Sequence, residues 1–312
     1  MIIALAGGVG GAKLAAGLAR VLPPEELVIG VNTGDDFEHL GLHVSPDLDT
    51  VSYTLAGIAD PQTGWGQAGE TWSFMRALER LGGPTWFKLG DRDLATHAER
   101  TRRLRAGETL SGATRALCER LGVRHAVVPM SDDPVRTLVH TDRGALEFQH
   151  YFVREQCEPR AERFEYRGCE TARPSAALLE AFNRRDLAGV IFCPSNPYLS
   201  IAPILSVPGI REAIVNCRRA IAVSPIIAGQ AVKGPAAKIM RELGIEPSSL
   251  EVARFYRGLA RALVIDRADT ALSAQIEALG IEAVAADTVM QAGADRERLA
   301  RVCTALIDKV RA

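Results

Sequence analysis

The chain has 312 residues, and 47% of them are apolar, which suffices for one large α/β domain or for a core with an inserted lobe. The formal net charge of −1 gives no sign of the basic stripe of nucleic-acid-binding proteins, so we expect no nucleic-acid partner. No apolar run approaches the roughly 18 residues of a membrane span. The first strand pattern begins at residue 2, which predicts a cytoplasmic protein without a signal peptide or a membrane partner.

The six cysteines are widely spaced, with no C-x-x-C pair among them. This spacing predicts reduced thiols and neither a zinc site nor a disulfide framework.

The first fourteen residues read as a strand, a glycine turn and the start of a helix. An apolar run over residues 2–6 precedes four glycines, and a helical pattern follows them: Gly7, Gly8, Gly10 and Gly11. Glycines let a bulky anion approach the backbone, and the N–H groups that open the next helix point toward that anion. We therefore predict that Gly8, Gly10, Gly11 and Lys13 contact a phosphate.

This turn matches neither standard phosphate-binding pattern. Lys13 stands where the dinucleotide fingerprint has its third glycine, and Leu14 stands where the Walker loop has Ser or Thr after the lysine. The alternative is that the glycines serve only to pack the strand against the helix.

A second strand is predicted over Leu27–Val31, and polar residues follow it in the order Asn32-Thr33-Gly34-Asp35-Asp36. Ligands of parallel sheets collect at the carboxyl ends of strands, so we expect Asn32 to contact substrate there. Asp47 and Asp49 come soon afterwards, and four carboxylates near a phosphate turn are typical of a Mg²⁺ site. Asp36 and Asp49 are the predicted metal ligands, and capping of helices or turns is the alternative for each aspartate.

Helical spacing replaces strand patterns from residue 51 to residue 123. We predict a helical insertion there, with helices over 72–81, 94–104 and 110–121, and a Rossmann-like core made of residues 1–50 and 124–312. The arginines Arg100, Arg102, Arg103 and Arg105 are expected on a solvated helix face. Trp86 and Phe87 precede Lys88 in a loop where a flat ring could stack and an anion could meet the lysine.

The strand pattern resumes at residues 126–129, and a β-hairpin is predicted from 137–140 and 145–152. Residues 154–173 receive no assignment. A helix over 175–183 and a buried strand over 189–193 come next, followed by Ser195 and Asn196 between two prolines, which we expect to contact a ligand.

Further strands are predicted at 220–223, 262–265 and 283–285, with helices between them and after the last. Lys233-Gly234-Pro235 precedes a helix predicted over 236–243, which indicates a second anion cradle that includes Lys233. The expected fold is a three-layer, Rossmann-like α/β fold with a mostly parallel sheet and an inserted helical lobe.

Six segments, in this order, resemble the phospholactate transferase family of deazaflavin coenzyme F(420) biosynthesis. They span nearly the whole chain: Gly7-Gly8-Val9-Gly10-Gly11-Ala12-Lys13-Leu14, Asn32-Thr33-Gly34-Asp35-Asp36, Ser45-Pro46-Asp47-Leu48-Asp49-Thr50, Lys88-Leu89-Gly90-Asp91-Arg92-Asp93, Cys193-Pro194-Ser195-Asn196-Pro197 and the stretch from Ser224-Pro225-Ile226 to Lys233-Gly234-Pro235. One departure is Ala228, where this family commonly has glycine.

The resemblance implies a Mg²⁺-dependent transferase, usually a homodimer, that acts on small molecules. In it, the terminal ribityl hydroxyl of the deazaflavin Fo attacks the phosphorus of a guanosine diphosphate ester of a hydroxy acid, and GMP leaves. Asp49 and Lys88 match positions that contact Fo. On this basis we expect Asp49 to hold the metal or orient the attacking hydroxyl, with Asp35 and Asp36 assisting in catalysis.

Two other functions stay open at this point. Related chains of the same superfamily resemble nucleotide-sugar-binding regulators without catalytic activity. A dinucleotide-dependent oxidoreductase is possible by analogy of fold, although the displaced third glycine weakens it. The sequence does not distinguish 2-phospholactate, phosphoenolpyruvate and 3-phosphoglycerate as the acid transferred.

Overall fold

The computed structural model describes residues 1–231 and 234–311. Its strands, in chain order, are β1 (Ile2–Ala6), β2 (Leu27–Val31), β3 (Phe37–His39), β4 (Leu42–Val44), β5 (Ala126–Pro129), β6 (Arg136–Thr141), β7 (Gly144–Glu147), β8 (Ala161–Arg167), β9 (Gly189–Phe192), β10 (Ala220–Val223), β11 (Ile226–Ile227), β12 (Gln230–Ala231), β13 (Ala262–Asp266) and β14 (Glu282–Ala286).

The α-helices are α1 (Gly8–Val21), α2 (Pro46–Ala56), α3 (Ser73–Arg80), α4 (Asp91–Arg105), α5 (Leu110–Arg120), α6 (Ala176–Asn183), α7 (Ala202–Ser206), α8 (Ile210–Cys217), α9 (Ala236–Glu242), α10 (Ser249–Phe255), α11 (Ser273–Glu277) and α12 (Gly293–Arg311). Short helical turns cover Pro24–Glu26, His150–Arg154, Pro197–Ile201 and Arg267–Leu272.

Seven strands form the central sheet in the order β14-β13-β10-β9-β1-β2-β5, and each neighbouring pair is parallel. Side chains alternate between the two faces of the sheet. Ile3 and Leu5 belong to one buried cluster, while Ile2 and Ala4 belong to another on the opposite face. Helices cover both clusters, so the predicted three-layer fold with a mostly parallel sheet is confirmed.

The helical segment between β4 and β5 begins earlier than residue 51. Ser45 is the N-cap of α2, and Pro46 opens the first turn. Leu48 and Val51 of α2 pack in the sheet's own core, as do Leu110 and Cys118 of α5. α2 and α5 therefore contribute to the core that lies against the sheet.

A second, three-stranded antiparallel sheet has the order β7-β6-β8. The predicted hairpin is present, but its second strand ends at Glu147, and the prediction of strand up to residue 152 is wrong. Phe148 and Phe152 stack with ring centroids 5.4 Å apart, and Tyr151 is fully buried. Apolar residues three and four positions apart favour the helical turn that forms there. β8 lies within the stretch that the pattern left unassigned.

No single helix in the described ranges is long and apolar enough to cross a bilayer. A bent pair, residues 197–206 with 210–217, passes that test jointly. Its side chains Ile201, Ile204 and Ile214 are fully buried in the core beside the sheet.

Candidate functional site

The direction of chain progression reverses between β1 and β9 in the middle of the sheet. The chain goes from β1 to β2 and β5 on one side, and from β9 to β10, β13 and β14 on the other. The residues that follow β1 and β9 line a cleft of about 700 Å³. This is the switch point at which open α/β sheets hold their ligands.

The glycine turn packs tightly against the residues that follow β9. Gly7 N donates to Ser195 Oγ at 3.0 Å, and Ser195 Oγ donates to Gly7 O at 2.9 Å. A Cβ on Gly10 would overlap the Pro194 carbonyl oxygen, and one on Gly11 would overlap Ser195 Oγ. Packing alone therefore explains why these two positions are glycine.

Gly8 differs from the other glycines because its φ is +64° and the space around it is open. Its N–H donates to Asp47 Oδ1 at 2.7 Å. The anion at the N-terminus of α1 is thus a carboxylate of the protein itself, in a position that the helix dipole favours.

Asp47 is held from a second side by Asn32, whose Nδ2 donates to Asp47 Oδ2 at 2.9 Å and to Leu199 O at 3.2 Å. Burial raises the pKa of Asp47 to about 6, and the hydrogen bonds from Asn32 and Gly8 oppose part of that rise. Asn32 is fully buried and positions Asp47 from behind the cleft wall.

Asp35 lines the cleft beside Asp47. Burial, with the charges of Asp47 and Asp36, raises the pKa of the Asp35 carboxyl well above its ordinary value. Its Oδ1 is buried and has no hydrogen-bond partner among the described residues. The neighbouring charge of Asp47 therefore favours the protonated form of Asp35.

Asp36 points away from this cleft. Its Oδ2 accepts from Ser45 Oγ at 2.8 Å and lies 3.1 Å from His43 Nε2. It lines a second cavity of about 610 Å³ on the other side of the 32–36 turn, together with Thr33 and His43. Asp36 therefore does not line the cleft, although its charge acts on Asp35 and Asp47.

Asp49 lines the cleft next to a buried arginine. Arg100 Nη1 donates to Asp49 Oδ2 at 3.1 Å, and Nη2 donates to Oδ1. The expectation of a solvated face is wrong for Arg100, whose side chain is only 2% exposed, because its charge is paired with Asp49. Arg102 lies on the exposed surface of α4, where it pairs with Glu99.

His97 and Asp93 complete this part of the wall. Asp49, Asp93 and His97 form the one group of three potential metal ligands within 4.8 Å that the described part of the chain contains. The Arg100 guanidinium already neutralises Asp49 there, so this group fits a cation poorly.

The loop that carries Lys88 is fixed by reciprocal caps. Glu70 accepts from Arg92 N and Asp93 N at the start of α4, while Asp91 accepts from Ser73 N and Phe74 N at the start of α3. These caps present the exposed Lys88 to the cleft.

Aromatic side chains line the same half of the cleft: Trp65, Trp86, Phe87, Phe148 and Phe152. Trp65 is 45% exposed and Phe152 is 39% exposed. Large exposed rings in a cleft offer stacking area to a planar ligand.

On the other half, Lys13 Nζ donates to Met290 O at 2.8 Å after the end of β14. Asn196 Oδ1 accepts from Tyr198 N at 3.0 Å as a helix cap, and its Nδ2 is a buried donor without a partner in the described ranges. Lys233 lies outside the described residues, and its neighbours Gly234 and Pro235 line this end of the cleft.

The hairpin of β11 and β12 follows β10. Its residue Ile227 lines the cleft together with Ser224 and Pro225. Ser249 Oγ donates to Asp269 Oδ2 at 2.8 Å, and Ala228 N donates to Asp269 Oδ1 at 3.0 Å. Ala228 has a φ of +47°, a conformation that glycine adopts without strain, which gives a physical reason for glycine at this position.

The cleft brings together most of the predicted site residues: Gly8, Gly10, Lys13, Asp35, Asp49, Lys88, Ser195 and Asn196. Gly11 and Asn32 support it from behind. The predicted site residues omit Asp47, Asp93, His97 and Arg100. The polar spacing of Asp93, His97 and Arg100 at three and four positions on one helix is the signal that could have found the last three.

A family profile described as 2-phospho-L-lactate transferase CofD matches residues 2–306. The chain is 43% identical to a phosphoenolpyruvate transferase of Kitasatospora aureofaciens, over 99% of this chain and 98% of that protein. It is 40% identical to a 2-phospho-L-lactate transferase of Methanosarcina acetivorans, over 99% of this chain and 100% of that protein.

A crystal structure of a UPF0052 family protein from Bacillus halodurans shares the fold. The TM-score is 0.62 at 15% identity, and the match covers 97% of this chain and 98% of the other. The profile match and the relatives together show that the chain is a transferase of the 2-phospho-L-lactate transferase CofD family.

Proposed function

We propose that this protein transfers a phospho-hydroxyacid from its guanosine diphosphate ester to the deazaflavin Fo, with release of GMP. The acid is 2-phospholactate or a close analogue such as phosphoenolpyruvate or 3-phosphoglycerate, as the names of the relatives suggest. The observation that carries the proposal is a single cleft with two unlike halves: glycines, Lys13 and carboxylates on one side, and exposed aromatic rings with Lys88 on the other.

The two halves suit the two substrates. A diphosphate would lie near the N-terminus of α1 and Lys13, where donors and positive charge face the cleft. A flat deazaflavin ring would stack against the aromatic side chains, with its ribityl chain directed toward Asp49. The reacting phosphorus would then lie between the halves, near Asp35 and Asp47.

Mg²⁺ is part of the proposal, and Asp35 and Asp47 are the residues that fit it. Both carboxyls are buried with raised pKa values, whereas Arg100 neutralises Asp49. When bound, the metal would neutralise charge on the diphosphate oxygens. We therefore expect Asp35 and Asp47, rather than Asp36, to hold it.

The chain's own groups would act mainly by positioning and charge. Asp49 orients the attacking hydroxyl, whose oxygen forms the new P–O bond while its proton is released to solvent. The bond from this phosphorus to the bridging oxygen breaks, and GMP leaves with that oxygen. Lys13 and the N–H groups at the start of α1 stabilise the negative charge on the departing phosphate.

Mass spectrometry of the product tests the transfer. Fo is incubated with each guanylated acid in turn, with and without Mg²⁺, and one acid should give a Fo phosphodiester and GMP in a metal-dependent reaction. Asp49→Asn should lower turnover about 100-fold at saturating Mg²⁺, and near-normal turnover would overturn its assignment.

A non-catalytic regulator would behave differently in the same assay. Binding of a uridine diphosphate sugar without turnover of Fo under any of these conditions would favour a regulator and overturn the transferase proposal.

We also propose that the protein is a cytoplasmic homodimer that acts on small molecules alone. Light scattering at micromolar concentration would test the dimer by its mass.

A further inference from the structure

A buried network of charged and polar side chains joins the helical segment to the wall of the cleft. It links Asp49 and Tyr53 of α2 with Asp93, His97 and Arg100 of α4. Four of these side chains line the cleft, and Arg100 lies directly behind Asp49.

The hydrogen bonds of this network have a fixed direction. A guanidinium can only donate, so Arg100 Nη1, which lies 3.3 Å from His97 Nδ1, makes that nitrogen an acceptor. His97 Nε2 lies 3.3 Å from Asp93 Oδ2. Asp93 Oδ1 also accepts from Tyr53 OH at 2.7 Å.

Both oxygens of Asp49 are engaged by Arg100, so its carboxylate has one orientation. A paired, planar guanidinium fixes a carboxylate in plane, whereas an ammonium acts as a point charge. A buried ion pair adds little stability compared with apolar packing of similar volume. The arrangement therefore favours a role in geometry over a role in stability.

We propose that Arg100 is a positioning residue for the transfer, which holds Asp49 so that the acceptor hydroxyl meets it in one orientation. This inference rests on the proposed function, in which Asp49 receives that hydroxyl. His97 Nδ1 contacts the same Nη1 that donates to Asp49 and so restricts the rotation of the Arg100 guanidinium.

The test is a double-mutant cycle in the full-length protein. The variants are Asp49→Asn, Arg100→Lys, Arg100→Met and the double variant Asp49→Asn with Arg100→Met. Initial rates are measured with Fo and the guanylated acid varied separately, and the melting temperature of every variant is recorded. The double variant removes both charges of the Asp49–Arg100 pair, so its rate can be compared with that of Asp49→Asn even if Arg100→Met alone does not fold.

Arg100→Lys should lower kcat about 10- to 100-fold while KM for the guanylated acid changes less than threefold. The double variant should be no slower than Asp49→Asn, because Arg100 acts through Asp49. Arg103→Lys, one turn further along α4 and paired with Glu99 and Glu108 near the surface, is the matched control and should keep wild-type rates.

Two results would overturn the inference by itself: a folded Arg100→Lys variant with wild-type kcat, or losses that multiply in the double variant. Wild-type protein that transfers no acid to Fo would overturn the proposed function, and the inference with it.

Discussion

Asn32, directly after β2, donates a 2.9 Å hydrogen bond from Nδ2 to Asp47 Oδ2 in the first turn of α2. Its Oδ1 accepts from Gly34 N at 2.8 Å. One fully buried amide therefore fixes both the turn that carries Asp35 and the carboxylate of Asp47. The relative position of the two cleft acids depends on a residue that does not line the cleft.

Replacement of Asn32 by aspartate should destabilise the protein. The variant loses the Nδ2 donor to Asp47 and Leu199 O and places a second carboxylate against Asp47. We expect Asn32→Asp to lower the free energy of unfolding by about 3 kcal/mol at pH 8. Urea unfolding measures this change, and the exposed Asn216→Asp in α8 should stay within about 0.5 kcal/mol of wild type. Equal stabilities of the two variants would contradict the role given to Asn32.

Asp35→Asn should stabilise the metal-free protein at high pH and reduce its activity. Because the pKa of Asp35 is raised in the folded state, the contribution of this carboxyl to stability is fully present below its unfolded pKa of about 3.9. That contribution is lost as the pH rises toward the raised folded value.

The variant should therefore melt at the same temperature as wild type near pH 4 and about 2–4 °C higher at pH 8. Thermal melts in EDTA across this range test the sign. Added Mg²⁺ should raise the melting temperature of wild type but not of Asp35→Asn. A variant that is less stable at pH 8 than at pH 4, relative to wild type, would refute the expectation.

Gly10→Ala should destabilise the fold even without any ligand, because its Cβ would overlap the Pro194 carbonyl oxygen. We expect a loss of about 1–3 kcal/mol. Gly112→Ala in α5 is the matched control, since its Cβ would make ordinary contact at 3.4 Å with Thr109 Oγ1, and it should gain about 0.5–1 kcal/mol. Unfolding curves of both variants decide the question; an unchanged Gly10→Ala midpoint would mean that this close packing is not what requires glycine.

Trp65→Leu should weaken binding of the deazaflavin selectively. Loss of the exposed ring from the cleft should raise KM for Fo about 3- to 10-fold, which corresponds to about 0.7–1.4 kcal/mol. KM for the guanylated acid should stay unchanged. Trp72→Leu serves as the control, because Trp72 precedes α3 and is not among the residues that line the cleft. Parallel changes in both KM values would indicate a general disturbance of the cleft.

The sequence by itself determined the central sheet and the place of the site. Apolar runs located β2, β5 and β10 at their observed bounds, because a strand buried on both faces leaves a local, continuous pattern. The rule that ligands collect at the carboxyl ends of parallel strands placed the glycine turn, Asp35 and the Ser195-Asn196 pair at one cleft. Periodicity also located α3, α4 and α5 to within a few residues.

The tertiary structure alone decided which of these polar residues line the cleft. Arg100 and Arg102 are both arginines of α4, yet only Arg100 of these two is buried. It pairs there with Asp49, which lies 51 positions earlier in the chain. Asp36 follows Asp35 but turns to Ser45 and His43, and Gly10 is glycine because Pro194 lies against it. Whether a charged side chain is buried, or a position requires glycine, depends on a partner that is distant in sequence. A local sequence pattern does not contain that partner.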